Sequence, residues 1–131
     1  MPDAIEERYA ATILLVDDKP ANIKLLFDSL EGTGYRTLAA LDGESAVQQA
    51  TRARPDLILM DVMMPGINGF EACRLLRAQP ETRNIPVIFM TALTETSEKI
   101  KGFEAGGVDY LTKPLQHEEV LARIDSHLSR H

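Results

Sequence analysis

Asp17, Asp18, Asp61, Thr91 and Lys113 each stand at or just beyond the end of a short apolar run. The runs are Ile13-Leu14-Leu15-Val16, Leu57-Ile58-Leu59-Met60, Val87-Ile88-Phe89-Met90 and the weaker Val108 to Leu111, which leads into Thr112-Lys113-Pro114. Three clustered carboxylates repel one another unless a cation holds them or protons are taken up. Hard oxygen donors with room for water suit Mg²⁺ better than zinc or a caged Ca²⁺, and no Cys/His spacing offers a competing transition-metal site. A metal with open positions can bind a phosphoryl group, and a carboxylate beside it can act as the nucleophile and become an acyl phosphate. The Lys113 ammonium and the Thr91 hydroxyl could then bind the added oxygens. Taken singly, each residue has an ordinary explanation. A strand-end Asp is most often a turn former or helix N-cap, and Asp18, two residues before Pro20, suits that role. Four such ends on one edge of a sheet are harder to explain that way.

Unalternating apolar runs of this length are what strands buried on both faces look like. In an open parallel sheet all the carboxyl ends lie on one edge, where ligands bind. The rest of the chain supplies that sheet. Strands are predicted near 12–17, 36–41, 56–61, 86–91 and 108–112, and helices near 20–32, 43–53, 69–79, 95–105 and 117–130. Ile23, Leu26, Phe27 and Leu30 form one helical face, with Pro20 in the first turn and Gly32 or Gly34 past the end. Leu121, Ile124 and Leu128 repeat the pattern in the last helix, where Glu118 and Glu119 at the start and Arg130 and His131 at the end match the helix dipole. The fourth helix has only Ile100 and Phe103 as strong apolar anchors and is expected to be the least tightly held. Strict alternation implies right-handed crossovers and a parallel sheet between two helix layers. In strand order 2-1-3-4-5, the first and third strands are neighbours, which brings Asp17, Asp18 and Asp61 together.

The bulk properties narrow the setting. The 131 residues make one domain, able to bury about two-thirds of its unfolded surface. A hydrophobic fraction of 44% with 26% charged residues is that of a soluble globular protein. A net charge of −6 without a basic cluster argues against direct nucleic-acid binding. There is no membrane-spanning run and no signal-peptide core at the start. The lone Cys73 cannot form an internal disulfide and is read as packing. A cytoplasmic location is expected. Residues 1–10, polar and charged, are expected to form a flexible extension ahead of a domain at 11–131.

The stretches 13–18 (ILLVDD), 55–69 (PDLILMDVMMPGING), 85–92 (IPVIFMTA) and 105–114 (AGGVDYLTKP) resemble, in order and spacing, the response-regulator receiver domains of two-component signalling. The resemblance runs from Thr12 to Leu128. It implies a CheY-like, flavodoxin-type doubly wound α/β fold: a five-stranded parallel sheet flanked by five helices. It implies that Asp61 is the phosphoacceptor, fed by a sensor histidine kinase or phosphotransfer protein. Asp18, Asp61 and the main-chain oxygen of Met63 would ligate Mg²⁺, with Asp17 supporting it through water. Lys113 would pair with the acyl phosphate, preceding a cis Pro114. Thr91 would move to hydrogen-bond the phosphate, and Tyr110 would turn inward with it. Asn68 stands where many relatives have Asp, and Gly107 where Ala is common. None of His117, His127 and His131 is expected near the site. The kinase-specificity surface is expected on the first helix, including Asn22, Ile23 and Leu26, with the loop after the last strand.

Met63 and Leu93 flank the path by which water would attack the acyl phosphate, and neither can orient it, so slow self-dephosphorylation is expected. Phosphorylation would act through the fourth helix, fifth strand and fifth helix, promoting homodimers, with Lys101, Asp109 and Arg123 as opposite charges on that face. The wording of 113–124 and 17–22 resembles receivers attached to cyclase, phosphodiesterase or histidine-kinase output domains, so a fused output after His131 is expected. A stand-alone receiver would act by protein contact instead. Two rival readings remain. A haloacid-dehalogenase-like phosphatase wants a second Asp two residues after its nucleophile, where Met63 stands. A pseudo-receiver binding module, never phosphorylated, would not need the full carboxylate, Thr and Lys set.

Overall fold

The computed structural model describes residues 11–92 and 96–128, with only the backbone for 96–99. The expectations for the extension at 1–10, for Leu93 and for Arg130 and His131 lie outside the described residues. The elements are β1 (Ala11–Val16), α1 (Pro20–Leu30), β2 (Tyr35–Ala40), α2 (Gly43–Ala53), β3 (Leu57–Asp61), α3 (Gly69–Arg77), β4 (Val87–Thr91), α4 (Thr96–Ala105), β5 (Asp109–Thr112) and α5 (His117–Leu128). The strands form one parallel sheet in the order β2-β1-β3-β4-β5.

The sheet divides the core in two. Leu14, Val16, Ile58, Met60, Val87 and Phe89 pack against α2, α3 and the end of α4. Ile13, Leu15, Leu57, Leu59, Ile88 and Met90 pack against α1 and α5. Every residue of β3 and β4 is buried, which is why these runs show no alternation. Each fully buried aliphatic side chain contributes about 1.5–3 kcal/mol relative to exposure.

Several local expectations need correction. α1 ends at Leu30 rather than 32, and the chain then turns through Gly32 and Gly34, both at positive φ. Phe27 is not on the buried face: it is 36% exposed, while Ile23, Leu26 and Leu30 carry the packing. Ile23 and Leu26 are consequently unavailable to a partner kinase. In α5, Val120 joins Ile124 as a fully covered residue, with Leu121 and Leu128 only partly buried.

α4 departs most from expectation. Ile100 and Phe103, read as its anchors, are 50% and 54% exposed. The helix is seated instead through small residues, Gly102 and Ala105, which are buried. The turn that follows is held by Arg77, whose Nε and Nη2 donate to the Gly106 carbonyl at 3.1 and 2.7 Å.

Candidate functional site

The register of the sheet assembles the site. Val16 pairs with Met60 across β1 and β3, so Asp17 and Asp61 follow side by side. Thr91 closes β4 opposite Thr112, and the Lys113 amide donates to the Thr91 carbonyl at 2.8 Å. From there the long lysine side chain reaches past the end of β4. Its Nζ lies 3.2 Å from Asp61 Oδ1 and 3.3 Å from Asp17 Oδ2. The Lys113–Pro114 peptide is cis, as the resemblance implies.

Asp17, Asp18 and Asp61 offer carboxylate oxygens that all lie within 4.8 Å of one another. Asp17 is completely buried and both its oxygens are engaged. Oδ1 accepts from the Lys19 amide at 2.9 Å, and Oδ2 accepts from Asn22 Nδ2 at 3.1 Å and from Lys113. Asp18 is not a helix cap, because the N-cap of α1 is Lys19. Its Oδ1 is buried without a hydrogen-bond partner, the nearest cation being Lys19 Nζ at 3.8 Å. Asp61 is buried too, and its Oδ2 likewise has no hydrogen-bond partner. Burial and the neighbouring Asp17 charge push the Asp61 carboxyl above the ordinary carboxylate value, against the opposing pull of Lys113 and of the Met63 amide.

Backbone geometry sharpens the loop after Asp61. Gly69 opens α3 so close beneath that loop that a Cβ would stand 3.0 Å from Val62 Cα and closer to the Asp61 carbonyl oxygen. The Gly69 amide donates to the Val62 carbonyl at 2.9 Å. Asn68, the departure from the usual Asp, still caps α3: it accepts from the Glu71 amide, and Glu71 returns the bond to the Asn68 amide. Met63 stands 66% exposed beside the site.

Thr91 is buried at the same edge, and Tyr110 is buried one strand away, its ring tilted against Phe89 and edge-on to Phe103. Asp109 is turned the other way and is taken up within the chain. It bonds Arg123 at 2.8 Å and His127 at 3.0 Å, so it and Arg123 are already paired with each other. Burial raises the Asp109 carboxyl, but the bonds from His127, the Tyr110 amide and Arg123 outweigh it and hold it below the ordinary value. Cys73 is fully buried, and burial pushes its thiol up, which makes it a packing residue. Asn22, expected on a partner surface, is half-buried and also orients Asp17. Two groups had no sequence signal pointing to the site: the Lys19 amide and the Asn22 side chain, both placed only by the turn into α1.

A doubly wound parallel sheet with an acidic pocket and a lysine at its carboxyl edge defines a class of α/β domain. Residues 13–125 match the response regulator receiver domain. The chain belongs to the response regulator receiver family. It is 46% identical over 117 residues to the response regulator PleD of Caulobacter vibrioides, covering 89% of this chain and 26% of PleD. It is 42% identical to the protein PilH of Pseudomonas aeruginosa, covering 91% of this chain and 98% of PilH. Its fold matches the receiver domain of the sensor histidine kinase PA1611 of P. aeruginosa with a TM-score of 0.84 at 36% identity, covering 92% of this chain and 98% of that one. That receiver carries a magnesium ion coordinated in its active site cleft. The chain thus spans about a quarter of one such relative and nearly all of another. Among the described residues no helix is long and apolar enough to cross a membrane.

Proposed function

We propose that Asp61 accepts a phosphoryl group from a phosphohistidine of a sensor histidine kinase or phosphotransfer protein. The observation that carries this reading is the Asp61 carboxylate itself, buried with Oδ1 held by Lys113 and Oδ2 without a partner. In the transfer, an Asp61 oxygen attacks phosphorus while the P–N bond breaks and its electron pair returns to the imidazole. The product is an acyl phosphate. Lys113 remains in place to bind the added oxygens, and the Thr91 hydroxyl, at the same edge, supplies a further donor.

The donor set fits Mg²⁺. Among the described residues, the buried side-chain oxygens without hydrogen-bond partners belong to Asp18 and Asp61, the carboxylates read as direct ligands, with the main-chain oxygen of Met63 as the third ligand. Asp17, whose oxygens are already engaged, is left to support the metal through water. When bound, the metal supplies positive charge that offsets the developing negative charge on the phosphoryl oxygens. Met63 stands where a phosphatase of the haloacid-dehalogenase type would need its acid, so the domain is a phosphoacceptor that catalyses only its own phosphorylation and dephosphorylation.

The signal would leave through Thr91 and Tyr110 to the face of α4, β5 and α5. The kinase would meet a groove lined by Asn22, Leu25, Ala92, Lys113, Pro114 and Leu115, with a volume of about 440 Å³ beside the lysine. An output domain of the cyclase, phosphodiesterase or kinase kind would read the change, which the small share of PleD spanned by this chain supports; a stand-alone action like the extent of PilH is the other arrangement. A cytoplasmic setting fits a kinase partner. Incubation with acetyl phosphate and Mg²⁺ tests the central step. The wild type should gain one hydroxylamine-labile phosphoryl group, and Asp61→Asn should gain none. Equal labelling of the two would remove Asp61 from the role, and no labelling of the wild type would favour a pseudo-receiver.

A further inference from the structure

α4 carries a glycine in its middle, Gly102, where alanine is favoured by about 1 kcal/mol in a helix interior. The reason lies across the helix. A Cβ at position 102 would stand 2.7 Å from Tyr110 Cζ, closer still to the phenolic oxygen, and 3.1 Å from Phe89 Cδ2. Gly107 makes the matching concession after the helix. A Cβ there would stand 2.7 Å from Phe89 Cδ2 and nearer to Cε2. The Gly107 amide donates to the Gly102 carbonyl at 2.9 Å, which ties the two glycines together. This also accounts for Gly107 where Ala is common: the Phe89 ring occupies the space of the methyl group.

The notch so framed is filled by rings. Phe70 and Phe89 meet edge-on with centroids 5.0 Å apart, Phe89 and Tyr110 lie 5.9 Å apart, and Phe103 meets Tyr110 edge-on at 5.4 Å. Phe89 precedes Thr91 by two residues on the same face of β4, and Tyr110 precedes Lys113 by three. The notch therefore adjoins the strands that carry both residues to the site.

We propose that Gly102 is a positioning residue of the phosphorylation switch: its missing side chain admits the Tyr110 ring between α4 and β4, so the seat of Tyr110 and the position of α4 are set together. The proposal rests on the reading of Thr91 and Tyr110 as the pair that reports phosphorylation. A methyl group at 102 forces one of two changes. Either the ring leaves its seat, or α4 lifts away from β4.

Four full-length proteins test this: wild type, Gly102→Ala, Tyr110→Ala and the double variant. Helix propensity alone would raise the melting temperature on Gly102→Ala in both backgrounds. The notch requires opposite signs: a loss of several degrees with Tyr110 present, and no loss or a gain once Tyr110→Ala has removed the ring. A single variant that fails to fold while the double variant folds is the strongest form of the expected result. The same sign in both backgrounds overturns the notch. Beryllofluoride binding with Mg²⁺ then tests the coupling. Gly102→Ala should weaken it about fivefold with Tyr110 present and leave it unchanged in the Tyr110→Ala background. Unchanged affinity with Tyr110 present overturns the coupling to the site. If wild type binds no beryllofluoride at Asp61, the phosphoacceptor reading and this coupling fall together, whereas the melting comparison, which needs no phosphoryl chemistry, still decides the notch.

Discussion

Asp61 is held in a position that suits its chemistry and costs the fold. Its charge is buried beside Asp17 and only partly offset by Lys113, so its carboxyl is held above the ordinary carboxylate value in the folded chain. Asp61→Asn is therefore expected to raise the melting temperature by several degrees in EDTA, as removal of a like charge relieves the pocket. Added Mg²⁺ should reverse the order, stabilising the wild type more than the variant in differential scanning calorimetry. The neighbouring Met63 bears on rate instead. Its exposed thioether beside the carboxylate cannot orient an attacking water, and Leu93 is read in the same way. Met63→Asn, alone or with Leu93→Glu, should release phosphate from phosphorylated protein several-fold faster, measured by loss of the acyl phosphate over time; equal rates would remove this explanation of a long-lived signal.

Between elements, two polar clasps hold α5 to the amino edge of the sheet, one from each edge strand. Asp109, at the start of β5, gathers Arg123 and His127 of α5. The Tyr35 hydroxyl, at the start of β2, donates to Asp125. Burial first, and the Asp125 carboxylate second, push the Tyr35 phenol up to about 12. A folded value above the unfolded one, near 10, means that this stabilisation is complete below about pH 10 and lost as pH rises through about 12. Tyr35→Phe should cost about 1 kcal/mol at neutral pH and flatten the decline of stability across that alkaline window, followed by urea unfolding at each pH. α4 is seated differently. Its seat depends on small residues and on the Tyr110 ring, which makes it the element most easily shifted by a change at Thr91.

At the scale of the whole molecule, the exposed Ile100, Phe103 and Val108 leave an apolar strip on the α4–β5–α5 side. The charges expected to bridge two copies there, Asp109 and Arg123, are satisfied within one chain. Pairing on activation would then rest on the apolar strip, with Lys101 at its margin. Beryllofluoride and Mg²⁺ should shift sedimentation toward a dimer, and Ile100→Glu should abolish that shift while leaving phosphorylation of Asp61 intact. An unchanged sedimentation profile of the activated wild type would exclude this route of output.

The apolar runs and their polar ends determined the sheet, its parallel sense and the residues of the pocket, because strands buried on both faces must be continuously apolar and their carboxyl ends must share an edge. Asp17, Asp18, Asp61, Thr91 and Lys113 were legible for that reason. Tertiary structure alone decided which atoms of that pocket are engaged: Asp17 is taken up by Asn22 and the Lys19 amide through a turn that has no spacing rule, which leaves the unpartnered oxygens on Asp18 and Asp61. It also decided α4. Periodicity marked Ile100 and Phe103 as anchors because hydrophobicity usually signals burial. Here the Tyr110 and Phe89 rings come from other strands to fill the space beside the helix, so only glycine fits against them and the large residues turn to the surface. A helix-centre glycine reads as a weakness in one dimension, and the ring that requires it is visible only in three.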